Sequence, residues 1–313
     1  MNALFLFGEE LIEKGKWSFL FAPISLCWKL FVLLKNWLYD AGLLPMQRVD
    51  ALVVSVGNIV AGGTGKTPFT RKLAAHFADR SIAILTRGYG ADETLLLQKS
   101  ARVYVGKDRA ALAKKAVREG AKLLLLDDGF QHRKLSRDLD ILLLRGKDPL
   151  GKGHFLPWGF LRDHPSRLEE ADFLFLQGID FLHVPVRIRD QGGQSFPLQN
   201  GQRVGCFCGI ANPSSFRDTL RALNLIVATE WILADHAAAP LAKLNDFFDR
   251  CKALGCSALL TTEKDIVKLP SLSWPLPLLS VEIDLCMTGE GREKWQKLVA
   301  TIENKLDNRF HDK

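Results

Sequence analysis

Val60-Ala61-Gly62-Gly63-Thr64-Gly65-Lys66-Thr67 decides how the rest of the chain is read. It stands between an apolar run at 51–56, closed by Gly57, and a helical pattern over 66–79. The octapeptide matches the end of G-x-x-x-x-G-K-[ST], with Val60 where the first glycine would stand. Gly62, Gly63 and Gly65 let the backbone turn tightly and aim N–H groups at phosphate oxygens. Lys66 is placed to reach the β- and γ-phosphates, and the Thr67 hydroxyl to ligate Mg²⁺. The helix N-terminus adds its positive end, and Pro68 is tolerated there because first-turn N–H groups lack intrahelical partners. A glycine-rich turn with an incidental Lys-Thr is the alternative, and the strand–loop–helix context speaks against it. A nucleotide with Mg²⁺ is the expected ligand.

Outward from the loop, short apolar runs alternate with amphipathic stretches. Runs at 82–85, 102–105, 123–126, 141–144 and 173–176 accompany a charged helix at 108–119. This alternation predicts a mostly parallel sheet covered on both faces. Residues 184–202 are polar and glycine-rich and read as a linker or small hairpin. The pattern then restarts, with strands at 204–208, 225–229, 258–261 and 278–283 and helices at 213–223, 239–254 and 291–306. At roughly 150 residues per domain, the 313 residues suggest about two domains. The expected fold class is α/β. A phosphate-loop NTPase-like parallel-sheet lobe covers 49–183, the connector 184–202, and a smaller α/β lobe 203–313, with a ligand cleft between the lobes.

Leu123-Leu124-Leu125-Leu126-Asp127-Asp128 has the form of a Walker B segment, an apolar strand that carries a carboxylate to the metal. The reading puts Asp128 near Mg²⁺ and leaves Asp127 without an assigned role. Residues 130–167 carry eight basic side chains, Arg145 and Arg162 among them, against four aspartates. The stretch is either a solvated surface or a funnel for an anionic substrate.

Residues 1–48 stand apart. Between 17 and 38 lie Phe19, Leu20, Phe21, Ile24, Leu26, Trp28, Leu30, Phe31, Val32, Leu33, Leu34 and Trp37, with Pro23 placed to open a helix. A spanning helix needs about 20 mainly apolar residues, so the length is borderline. Glu9, Glu10 and Glu13 occupy the place of a signal peptide's basic region, and no small-residue cleavage site follows. Lys29, Lys35 and Asn36 give the helix a polar stripe, and Trp28, Trp37 and Tyr39 suit an interface. A helix lying in or dipping into one leaflet is expected; spanning and an ordinary core helix are the alternatives.

Composition narrows the partners. Apolar residues are 47% and charged residues 25%, which fits a globular chain and excludes a disordered one. The net charge of +7 permits nucleic acid, a membrane surface or an anionic small molecule. No aromatic-plus-basic module supports nucleic acid, and nothing marks an obligate protein partner. The six cysteines include no C-x-x-C pair and read as buried apolar residues in a reducing compartment.

Several motifs together resemble the tetraacyldisaccharide 4'-kinase family, the lipid A 4'-kinases. They are Ser55-Val56-Gly57-Asn58 with the phosphate loop, Thr86-Arg87-Gly88-Tyr89-Gly90, Asp127-Asp128-Gly129-Phe130-Gln131-His132-Arg133, Arg137-Asp138-Leu139-Asp140, Leu156-Pro157, Leu161-Arg162, Gly209-Ile210-Ala211-Asn212-Pro213 and Thr262-Glu263-Lys264-Asp265. The resemblance implies transfer of the γ-phosphate of ATP, with Mg²⁺, to the 4'-hydroxyl of a tetraacyldisaccharide 1-phosphate. The product would be lipid IVA, made in lipid A and lipopolysaccharide biosynthesis at the cytoplasmic face of the inner membrane. The chain would sit there as a peripheral or monotopic protein held by its N-terminal helix.

By the same resemblance, the family's proposed base falls on Asp92 of Asp92-Glu93, assisted by His236, with Lys66 completing the catalytic set. The family's metal-linked carboxylate in Leu-Arg-Glu-Pro falls on Asp163 of Leu161-Arg162-Asp163-His164-Pro165, joining Thr67 and Asp128. Arg87, Tyr89, Arg109, Gln131 and His132 are nominated as substrate or phosphate contacts. On physical grounds, Asp92 follows the second strand of a parallel sheet and should emerge at the carboxyl edge that bears the phosphate loop. It also fits a helix N-cap, and His236 also fits a surface loop. A regulatory P-loop NTPase that switches a partner is the rival class, but it has no need of a long apolar helix.

Overall fold

The computed structural model describes residues 18–88, 91–210, 212–235 and 237–310. Its elements begin with helix α1 (Ala22–Asp40), strand β1 (Leu52–Gly57), α2 (Lys66–His76), β2 (Ile82–Thr86), α3 (Ala91–Gln98), β3 (Arg102–Val105), α4 (Arg109–Arg118), β4 (Leu123–Asp127), β5 (Leu139–Arg145) and β6 (Phe173–Gln177). They continue with β7 (Phe181–Asp190), β8 (Arg203–Cys208), α5 (Pro213–Ala222), β9 (Ile226–Ile232), α6 (Leu241–Ala253), β10 (Ala258–Thr262), α7 (Glu263–Ile266), β11 (Leu278–Met287) and α8 (Gly289–Phe310).

The chain divides into two compact units. The first is drawn from Met1–Gly88, Leu97–Leu182 and Met287–Lys313; the second from Tyr89–Leu96 and His183–Cys286. Helix α8, read from the sequence with the second lobe, thus belongs to the first unit.

In the first unit the strands run in the order β3-β2-β4-β1-β5-β6, and each neighbouring pair is parallel. Strands β1 and β4 are buried along their whole length, which is why their sequences are mainly apolar, broken by Ser55 and ended by Asp127, and do not alternate. Strand β1 lies between β4 and β5. The loop that leaves its carboxyl end is therefore flanked by whatever β4 and β5 deliver at theirs. Helix α8 buries Gly291, Leu298, Ile302 and Leu306, a helical repeat. Its Trp295 meets Phe69 of α2 edge-on at 5.5 Å, and Lys294 donates to both oxygens of the buried Asp180 at 2.8 and 2.9 Å.

Helix α1 is fixed to the first unit by a narrow face. Pro23 sits in its first turn. Val32 is buried with Ile59, Val60, Ala61 and Phe130. The Ser25 hydroxyl donates to the Phe155 carbonyl at 2.7 Å. Asn36 donates to Asp163 at 2.8 Å, while its own carbonyl accepts from Arg133 at 3.0 Å. The remaining surface is mainly apolar and exposed: Ile24, Leu26, Leu30, Phe31, Leu34 and Trp37 are all more than half open to solvent. An apolar patch of this kind marks a membrane or protein contact.

In the second unit the strand order is β7-β11-β10-β8-β9, with β11, β10, β8 and β9 pairing in parallel. Residues 184–202 resolve into most of β7 and a hairpin turn bridged at Arg189 and Ser195. Two apolar clusters cover the sheet, one with Phe216 and Leu220 of α5, the other with Leu244, Phe247 and Phe248 of α6. Cys206, Cys208, Cys251 and Cys256 are buried, and Cys27 and Cys286 are exposed.

Candidate active site

The first unit builds its site around the loop between β1 and α2. Gly65 takes φ 81°, a left-handed conformation that starts α2 and turns the backbone N–H groups inward. The loop is braced from within. Asn58 donates from its side chain to the Thr64 hydroxyl at 2.9 Å, and both residues are fully buried. Gln131 donates to the Asn58 carbonyl at 2.7 Å and Arg162 to the Asn58 side-chain oxygen at 3.2 Å. Backbone bonds from Ala61 to the Phe160 carbonyl (2.7 Å) and from Arg162 to the Ile59 carbonyl (2.8 Å) lock the loop's entry to the segment carrying Arg162.

The two aspartates after β4 part ways. Asp127 accepts from the Thr67 hydroxyl at 3.4 Å and from Thr70 at 3.2 Å. Asp128 has a positive φ of 56°, which turns it out of the strand's alternation. Its carboxylate receives both arms of Arg162 at 2.9 Å, lies 3.7 Å from the Lys66 ammonium, and its carbonyl accepts from Arg109 at 2.6 Å. Burial pushes the Asp128 carboxyl up, but Arg162, Lys66 and Arg109 together hold it well below the usual carboxylate range.

Asp163, expected beside the metal, is engaged elsewhere. Its oxygens accept from Asn36 of α1 at 2.8 Å and from the His164 backbone at 3.0 Å, and Arg167 lies 3.7 Å away. Lys35, next on α1, has its ammonium lowered by burial and by Arg167, Arg133 and Arg162, against the pull of Asp163. Phe130 explains its place in the Asp-Asp-Gly-Phe-Gln-His run: it is fully buried, with Arg167 and Arg137 at 5.0 and 5.4 Å from its ring. His132 is pulled down to about 4 by burial, with Arg109 adding to the shift, so it is neutral at pH 7. Arg87 is exposed just past β2. Tyr89 and His236 lie outside the described residues.

A second constellation belongs to the second unit. Asp92 and Glu93 occupy the first turn of α3, and Asp92 is 2% exposed. The Lys268 ammonium lies 3.4 Å from Asp92 and 3.1 Å from Asp265. Lys264 donates to Glu93 at 2.6 Å. Burial alone would lower the Lys264 ammonium, but Glu93, Asp92 and Asp235 hold it above its ordinary value. Asp265 accepts in turn from the Thr262 hydroxyl at 2.7 Å and from the Gly209 backbone at 3.0 Å. The Thr-Glu-Lys-Asp and Gly-Ile-Ala-Asn-Pro motifs thus meet at Asp265. Lys268 carried no sequence signal beyond standing four residues after Lys264, in the turn just past α7.

Three comparisons bear on what these constellations serve. A family model described as Tetraacyldisaccharide-1-P 4'-kinase matches residues 17–92 and 91–303. The tetraacyldisaccharide 4'-kinase of Anaeromyxobacter dehalogenans (strain 2CP-C) is 36% identical over 77% of this chain and 78% of its own. That of Chlamydia abortus is 36% identical over 85% of this chain and 84% of its own. Among solved structures, "apo" form LpxK from Aquifex aeolicus in complex with ATP superposes with a TM-score of 0.72 at 26% identity, covering 91% of this chain and 99% of that one. A match that runs across both units places this chain in the tetraacyldisaccharide-1-P 4'-kinase family.

Proposed function

We propose that the chain carries out the reaction its family is named for: transfer of the γ-phosphate of ATP to the 4'-hydroxyl of a tetraacyldisaccharide 1-phosphate, giving lipid IVA. The observation that carries the reading is the braced loop with Lys66 beside Asp128 and Arg162, on a chain whose relatives are named for this kinase. Lys66 and the backbone N–H groups of 62–67 hold the β- and γ-phosphates. The Thr67 hydroxyl and the Asp127 carboxylate, 3.4 Å apart, are hard oxygen donors of the kind that would hold Mg²⁺. Mg²⁺ held there would supply neutralisation of phosphate charge during transfer. We assign the metal to Thr67 and Asp127, with Asp128 orienting Lys66 and Arg162, and we assign Asp163 to anchoring α1.

Asp92 is proposed as the group that takes the proton of the acceptor hydroxyl, with His236 orienting it. Lys268 supports the reading, because a buried carboxylate needs a cation to remain ionised and able to accept a proton.

Helix α1 is proposed to lie along the inner-membrane surface on its cytoplasmic side. Its anchors at Ser25, Val32 and Asn36 extend over 11 residues, about 16 Å at ~1.5 Å per residue, and that length stays on the protein. A helix held this way rests in the interface and does not cross it. Its open face meets the acyl chains among which the substrate resides.

The test is incubation in detergent with γ-labelled ATP and tetraacyldisaccharide 1-phosphate. Label should appear in the lipid and depend on Mg²⁺. Label found only as free phosphate would favour a nucleotide-driven switch.

A further inference from the structure

Arg145 is the last residue of β5. In the parallel pair with β1, Leu142 stands opposite Gly57, so Arg145 lies three residues further on. That is on the order of 10 Å past the end of β1. There its side chain comes over the phosphate loop: a Cβ built on Gly62 would fall 2.5 Å from its Nη2. Gly62 takes φ 99°, so the loop at this point is bare backbone by conformational necessity as well as by crowding.

The other cations around the loop are engaged. Lys66 and Arg162 meet the Asp128 carboxylate, and Arg109 its carbonyl. Arg145 is different: among the described residues it has no hydrogen bond or ion pair, although it is only half-exposed. A guanidinium that reaches over the phosphate loop without a counter-ion gains one when a polyanion fills the loop. Its planar fork suits two phosphate oxygens at once.

We propose that Arg145 is a further catalytic residue of the phosphoryl transfer, its guanidinium resting on the γ-phosphate held over Gly62. The inference depends on the kinase reading above. In the transfer, the acceptor oxygen bonds to phosphorus as the bond to the β–γ bridging oxygen breaks. The proton leaves to Asp92, and the electron pair of the broken bond goes to ADP. Arg145 offsets charge on the equatorial oxygens during that exchange, as an arginine finger supplied within the same chain does.

The experiment compares wild type with Arg145→Ala, Arg145→Gln and Arg145→Lys in two assays: steady-state transfer to tetraacyldisaccharide 1-phosphate, and equilibrium binding of ATP and of ADP. Expected are a fall in kcat of about 100-fold or more in the Ala and Gln variants, partial recovery in the Lys variant, and an unchanged KM for the lipid. The preference for ATP over ADP should shrink in the Ala and Gln variants, because only ATP presents the γ-phosphate. Arg145→Lys keeps the stem and the charge and serves if the shorter variants do not fold. Unchanged kcat and preference, equal loss of ATP and ADP affinity, or an effect confined to the lipid KM would each overturn the proposal. If wild type binds ATP but phosphorylates no lipid, the kinase reading fails, and the ATP-to-ADP ratio still decides whether Arg145 meets the γ-phosphate.

Discussion

Asp128 in the first unit and Asp92 in the second are both carboxylates withdrawn from solvent and placed near a lysine, yet their surroundings differ in kind. Asp128 is gripped by both arms of Arg162, with Lys66 and Arg109 close by. Asp92 lies 3.4 Å from the Lys268 ammonium, which Asp265 shares at 3.1 Å, and its charge also bears on Lys264. A carboxylate surrounded by several cations is a poor proton acceptor and a good fixed charge. One whose nearby ammonium is divided with a second carboxylate is gripped less tightly and can take a proton in the transition state. The pair teaches that burial alone does not identify a base; the geometry of its counter-ions, and whether they are shared, does.

The sharpest way to break this comparison is Asp92→Asn. It should lower transfer by about 1,000-fold while ATP binding survives. Turnover within tenfold of wild type would remove Asp92 from the proton-accepting role.

Asp128→Asn should act on the fold as much as on the rate. It leaves Arg162 and Lys66 without their shared anion, a loss of about 3 kcal/mol for a largely buried pair, read as a Tm lowered by several degrees. A Tm equal to wild type would show that the Arg162 fork carries no stability.

Lys268→Met should lower turnover by about tenfold, because Asp92 loses its orienting partner. The KM for ATP should stay constant. A change in KM alone would assign Lys268 to binding.

The smallest effect is on pH dependence. A carboxyl held below its unfolded value adds stability above the ordinary carboxylate range, and that contribution is lost as pH falls through the depressed folded value. The stability gap between wild type and Asp128→Asn should therefore be full at pH 7 and narrow on titration below about pH 4. His132, neutral down to about pH 4, should leave no ionisation step between pH 5 and 8 in the activity profile of a His236→Gln variant.

The phosphate loop was legible because everything it needs is local: a buried strand, three glycines and a helix start within 15 residues of one another. The Walker B strand was equally plain, but the division of labour between its aspartates was not. Strand alternation predicts side-chain direction only while the strand lasts, and the left-handed backbone at Asp128 ends it. The polar stripe on α1 was visible in Lys35 and Asn36, whereas its partner Asp163 lies 127 residues away and could be matched only by folding. Lys268 was invisible for the same reason, since its pairing with Asp92 crosses most of the chain. Helix α8 was read correctly as a helix and grouped with the wrong lobe, because periodicity reports a buried face and not what buries it.

Helix α1 has a consequence for anyone preparing the protein. Its outward residues invite truncation, since trimming them would spare the use of detergent. Yet Val32 packs behind Ile59 and Val60 at the start of the nucleotide loop, and Asn36 steadies the segment that presents Arg162. A shortened chain would lose the backing of its own phosphate cradle, so the helix proposed to meet the bilayer is also a wall of the chamber that holds the nucleotide loop.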